Sequence, residues 1–121
     1  MFRPIALRVV LPAMLALSVS SSDAATTPIV LDGVVGPGAT ITLMKGSTNL
    51  KGKTLMHGAY TIRVNDKATS HNFHLTGPGV NRSTTVAFKG MTTWNVTLQA
   101  GNYVYICDPH KSFTKGSFKV N

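Results

Sequence analysis

From residue 25 onward the hydrophobic residues of this chain recur at every second position and almost nowhere at helical spacing. Tyr60, Ile62 and Val64 alternate with Thr61, Arg63 and Asn65, and Trp94, Val96 and Leu98 alternate with Thr93, Asn95 and Thr97. Successive side chains of a strand point to opposite faces, so such runs are strands with one buried and one wet face. The same alternation holds for Ile41 and Leu43, Phe73 and Leu75, Tyr103 and Tyr105, and Phe118 and Val120. Gly36-Pro37-Gly38 and Gly77-Pro78-Gly79 punctuate it. About seven short strands in roughly a hundred residues, with no need for a long helix, predict an all-β, single-domain, antiparallel Greek-key β-sandwich. Gly58-Ala59-Tyr60 and Gly101-Asn102-Tyr103 each set a tyrosine near the start of a strand. There the hydroxyl can tie down a sandwich corner; two unrelated turns are the alternative.

The first residues read differently. Arg3 and Arg8 flank or precede an apolar run from Val9 to Leu17 that is too short to span a bilayer, and small residues follow up to Ala24 and Ala25. We read residues 1–24 as a signal peptide, cleaved near Ala24 or Ala25, and residues 25–121 as the domain; an uncleaved anchor is the alternative. The expectation is therefore a protein secreted across the inner membrane, periplasmic or extracellular, and monomeric. Its charge is one-sided: 12 Lys and Arg against 4 acidic residues, with no glutamate. Removing residues 1–24 leaves Asp32, Asp66 and Asp108 as the only carboxylate side chains. The cations are scattered rather than interleaved with aromatics, which argues against nucleic acid and leaves an acidic protein partner or an anionic membrane surface. Ordinary solubility charge explains the same composition. Asn81-Arg82-Ser83 and Asn95-Val96-Thr97 match glycosylation acceptors, a short pattern that carries meaning only in a host that glycosylates.

Cys107 is the single cysteine. An unpaired cysteine in an exported chain calls for an intermolecular disulfide, a reactive thiol or a metal ligand; on its own, a buried small hydrophobe is the commoner explanation. What changes the balance is company: Cys107-Asp108-Pro109-His110 adds one imidazole and Ser70-His71-Asn72-Phe73-His74 another. By the two-residue register His71 shares the inward face of Phe73 and Leu75, whereas Asn72 and His74 fall on the polar side. Cys107 is in phase with Tyr103 and Tyr105, and Asp108-Pro109 begins a loop that carries His110 back over it. One thiolate and two imidazoles can thus meet at one end of the sandwich. His57, before Gly58, is read as a turn residue and His74 as a surface imidazole.

These residues resemble the cupredoxins of the plastocyanin, azurin, amicyanin and pseudoazurin kind. A His-Asn pair followed later by a Cys-x-Pro-His loop before the last strand is that family's arrangement, present here as His71-Asn72 and Cys107-Asp108-Pro109-His110. The Ser70 to Val80 stretch and the Lys115-Gly116-Ser117-Phe118 run extend the likeness over most of the domain. The resemblance implies one copper ion held by His71, Cys107 and His110, with Asn72 bracing the cysteine loop and His110 at the exit for electrons. Two imidazoles and a thiolate suit copper in both oxidation states, since soft sulfur favours Cu(I) and nitrogen serves Cu(II). One departure stands out: Thr114 occupies the place where related proteins carry a weak axial methionine, and Met44, Met56 and Met91 lie elsewhere. We expect the axial position to be empty or weakly oxygen-ligated, with Phe113 keeping the site dry and the potential raised.

Three functional classes compete. A one-electron carrier docking to a redox partner protein is the favoured reading, and a copper module for storage, delivery or sensing is the alternative. An enzyme with Cys107 as nucleophile and His110 as base lacks an acid or amide spaced to orient the histidine, so none is expected. Asp108 adjoins Cys107 and is expected to point away if the strand continues. A three-ligand zinc site is the formal competitor to copper.

Overall fold

The computed structural model describes residues 27–121 and the isolated Pro12, so the expected signal peptide over residues 1–24, Pro12 apart, and its cleavage point lie outside the described residues. Among the described residues ten strands make two five-stranded sheets. They are β1 (Ile29–Val35), β2 (Ile41–Lys45), β3 (Thr48–Asn49), β4 (Thr54–Leu55), β5 (Gly58–Asp66), β6 (His74–Gly77), β7 (Val80–Ser83), β8 (Gly90–Leu98), β9 (Gly101–Ile106) and β10 (Lys115–Val120). One sheet has the order β3-β2-β1-β5-β8 and the other β4-β10-β9-β6-β7. The all-β sandwich is as expected, but its strands number more than seven, because two-residue β3 and β4 are too short to show a period. Nor is it wholly antiparallel: β1 runs parallel to β5, and β10 parallel to β4. Alternation fixes which face is buried but is silent on direction.

The alternation becomes the core. Tyr60, Ile62 and Val64 of β5 and Tyr103 and Tyr105 of β9 face inward and are buried, with Leu31, Leu43, Phe73, Leu75, Leu98 and Phe118. Phe73 stacks on Tyr105 at 5.9 Å and tilts against Trp94 at 6.2 Å, while Tyr103 stacks on Phe118 at 5.3 Å. Rings this large need a place without a side chain. A Cβ on Gly77 would overlap the Tyr103 ring and one on Gly116 the Tyr105 ring, so both positions are closed to any other residue without repacking.

Both expected tyrosine ties are present. Tyr60 donates to the Met56 carbonyl at 2.6 Å; Tyr103 donates to the Pro78 carbonyl at 2.7 Å and accepts from the Gln99 amide at 2.9 Å. These ties sit where β5 and β9 begin. The same two strands end at the opposite pole, β5 at Asp66 and β9 at Ile106, and there the connecting loops gather His71, Cys107 and His110. Among the described residues no helix is long and apolar enough to cross a membrane.

Candidate metal centre

Cys107 leaves the end of β9 in phase with Tyr103 and Tyr105 and is fully buried. Asp108–His110 then forms one 3-10 turn, with Pro109 in its first turn, where a missing N–H costs nothing. Three backbone bonds close the loop: the His110 amide to the Cys107 carbonyl at 3.0 Å, the Thr114 amide to the His110 carbonyl at 2.8 Å, and the Cys107 amide to the Thr114 carbonyl at 3.0 Å. His110 is thereby returned over the thiol. His71 arrives from the segment preceding β6 and is 6 % exposed, whereas His110 is half-buried.

The three side chains expected from the sequence come together. His71 Nδ1 and His110 Nδ1 are 3.1 Å apart, and Cys107 Sγ lies 3.6 Å from the former and 3.7 Å from the latter. The point equidistant from the three atoms is about 2.0 Å from each, the length of a metal–imidazole bond and slightly under a metal–thiolate bond of about 2.3 Å. Two nitrogens and a sulfur, each presenting lone pairs to one point, form a group that could hold one metal ion.

A second layer of polar contacts holds the first. Asn72 is buried, not on a wet face as its register implied, because the residues before His74 are not part of a strand. Its Nδ2 donates to Asp108 Oδ2 at 2.6 Å and to the Thr84 carbonyl at 3.2 Å, and its Oδ1 accepts from the Asp108 amide at 2.7 Å. Asn72 thus ties the His71 segment to the residue following Cys107, the bracing that the resemblance implied. Asp108 opens the 3-10 turn rather than continuing the strand, and both its oxygens are engaged. Its other oxygen meets His74 Nδ1 at 3.0 Å, and His74 Nε2 meets Asn81 Oδ1 at 2.7 Å. Burial alone would raise the Asp108 carboxyl; hydrogen bonds from His74 and Asn72, with the charges of His74 and Lys111, outweigh it and hold it below its ordinary value. Burial likewise works against a charged His74, but the bonds to Asp108 and Asn81 and the Asp108 charge win, so the imidazole sits above its usual range.

Asp66 and Thr84 gave no signal in the sequence. Asp66, 1 % exposed at the end of β5, accepts from the Ala68 amide at 3.2 Å and the Thr84 hydroxyl at 3.2 Å, and that hydroxyl accepts from the Phe73 amide at 2.9 Å. Burial pushes the Asp66 carboxyl up, against the pull of these donors and of nearby His71. The pairing couples the end of β5 to the residue two after His71. Thr114 is buried, and its hydroxyl donates to the Ala39 carbonyl at 3.0 Å, linking the cysteine loop to the turn between β1 and β2. Phe113 does not seal the site: it is 65 % exposed, with its ring 5.4 Å from that of His110. Met56 and Met91 are exposed.

Known structures match this arrangement of strands. Reduced rusticyanin superposes with a TM-score of 0.57 at 17% identity, over 78% of this chain and 77% of that one. A second structure, described as the copper protein rusticyanin, gives 0.55 at 16% identity over 78% and 80%. Dithionite-reduced auracyanin from the photosynthetic bacterium Roseiflexus castenholzii gives 0.53 at 15% identity, over 78% of this chain and 98% of its own. The chain has the cupredoxin fold. No protein-family model matches the sequence, and no curated protein matches it either. In this cupredoxin-fold domain the candidate donors fall at one pole of the sandwich, on the loops that precede β6 and follow β9.

Proposed function

We propose that this cupredoxin is an exported copper protein with one type 1-like ion, held by His71, Cys107 and His110, that serves as a one-electron carrier and turns over no substrate. The observation that carries the reading is the convergence of two Nδ1 atoms and one Sγ around a point about 2.0 Å from each. Copper would supply exchange between Cu(I) and Cu(II), which a thiolate and two imidazoles accommodate together. The chain's own part is to keep those donors in place. Asn72 and Asp108 fix the cysteine loop, Asp66 and Thr84 fix the His71 segment, and half-buried His110 is the ligand nearest to solvent. A rigid, preassembled donor set lowers the rearrangement that accompanies gain or loss of an electron.

Adding Cu(II) to the protein should give an intense visible band from thiolate-to-copper charge transfer, and Cys107→Ser, His71→Ala and His110→Ala should each abolish it. Colour surviving in His71→Ala would overturn the assignment. For the axial position we propose no thioether ligand, since Thr114 commits its proton to Ala39. Thr114→Met should then shift the potential, and an unchanged value contradicts that.

The same departure favours a second reading, copper storage or delivery. Fast, reversible voltammetry with both oxidation states retained supports the carrier, and ready release of one state supports delivery.

A further inference from the structure

Among the described residues the aspartates are all engaged, and one cluster of lysines is left without any. Among the described residues, Asp32 pairs with Arg63 at 2.9 Å on the outer face of the β1–β5 sheet, Asp66 is buried under Thr84, and Asp108 is held by Asn72 and His74. On the other sheet, β10 turns Lys115, Ser117 and Lys119 outward, and neighbouring β9 turns out Asn102 and Val104. The turn from Leu50 to Thr54 is laced to the same strand. The Gly52 amide bonds to the Ser117 carbonyl at 2.8 Å and the Lys119 amide to the Lys53 carbonyl at 2.9 Å, which brings Lys51 and Lys53 beside Lys115 and Lys119. Two adjoining hollows, about 350 and about 430 Å³, share Val104 and Ser117 as their common floor.

We infer that this lysine-rimmed face of β9 and β10 is a docking surface for an acidic protein. Four ammonium groups around a polar floor with one half-exposed valine have the layout of an interface patch, a small apolar centre inside a charged rim. With no aspartate on that face among the described residues, the four charges add rather than cancel, so they steer an oppositely charged partner and fix where it lands. A protein fits better than a membrane. Of the large exposed apolar residues only Val104, 39% exposed, lies on this face, while Ile29, Met56, Met91 and Phe113 belong to other segments, so the face offers a bilayer one short side chain and no aromatic or long aliphatic group to insert. The inference stands apart from the metal and holds whether or not copper is bound.

The test is an NMR titration of the labelled protein with poly-glutamate at low ionic strength. Saturable amide shifts should concentrate at residues 51–54, 102–104 and 115–119. Replacing Lys51, Lys53, Lys115 and Lys119 by Gln together should weaken binding about tenfold or more, with circular dichroism unchanged, while the charge-matched set Lys45, Lys67, Arg82 and Lys89 to Gln should change it less than about threefold. Equal losses in the two sets would show only net charge. Shifts centred elsewhere, absence of saturable shifts, or binding to phosphatidylserine vesicles without binding to poly-glutamate would each overturn the inference.

Discussion

The two poles of this sandwich are closed by different chemistry. Where β5 and β9 begin, single tyrosine hydroxyls reach backbone groups: Tyr60 to Met56, and Tyr103 to Gln99 and, 25 residues away, to Pro78. Where the same strands end, the ties run through side chains far apart in sequence, Asn72 to Asp108, His74 to Asp108 and Thr84 to Asp66. The first pole is a clamp on the fold. The second is a frame around three donor atoms, and every member is positioned by another polar side chain, so damage there should spread to the site.

Asn72→Ala puts that difference to its hardest test. It removes two donated bonds and one accepted bond and leaves the Asp108 amide and Thr84 carbonyl without their partner, a loss of about 3 kcal/mol in stability measured by urea unfolding. Copper should stabilise the variant less than the native protein, because the cysteine loop is no longer held in its binding geometry. Metal-free protein should show the damage too, as faster alkylation of Cys107. If copper stabilises both forms equally, the ligand pole is no more interdependent than the other.

Tyr103→Phe is the matching probe of the opposite pole. It orphans the Gln99 amide and Pro78 carbonyl around a buried ring and should cost about 2 kcal/mol. Tyr60→Phe, with one bond to lose, should cost about 1 kcal/mol. Both losses should be the same with and without copper, and the visible spectrum should not move. A spectral change in Tyr103→Phe would mean that the poles communicate through the Tyr103, Phe118 and Tyr105 rings.

What was legible in the sequence follows the same division. Alternation and the Gly-x-Tyr pairs are local signals, so the inward faces of β5, β8, β9 and β10 and both tyrosine ties could be read from neighbouring residues. Cys107 and His110 are three apart, His71 followed from its register with Phe73 and Leu75, and the family resemblance supplied the bracing role of Asn72. The supporting contacts left no such trace. Asp66 and Thr84 are 18 residues apart and His74 and Asp108 are 34 apart, and nothing in either local pattern distinguishes a buried carboxylate from a solvated one. Asn72 was misplaced by treating residues 71–73 as strand, and Phe113 by assuming that an aromatic in a ligand loop packs inward. Two-residue β3 and β4, and the parallel pairings of β1 with β5 and β10 with β4, lie below what periodicity can resolve.

The smallest effect concerns charge at the ligand pole. His74 has its folded pKa raised, so the stability it contributes is complete below its unfolded value near 6.5 and is lost as pH rises through the folded value. Asp108 has its folded pKa lowered, so its contribution is present above its unfolded value near 3.9 and is lost as pH falls through the folded one. The pair is therefore fully effective between about pH 4 and 6.5. Both side chains are partly exposed, at 24% and 44%, so solvent screens the effect and it should shrink further in high salt. His74→Gln should flatten the decline in stability above pH 6.5 while leaving the Tyr103→Phe loss unchanged at every pH. A decline that persists in His74→Gln would have to arise from another titrating group, and the imidazole would then be a neutral hydrogen-bonding strut between Asn81 and Asp108 rather than the counter-charge of the cysteine loop.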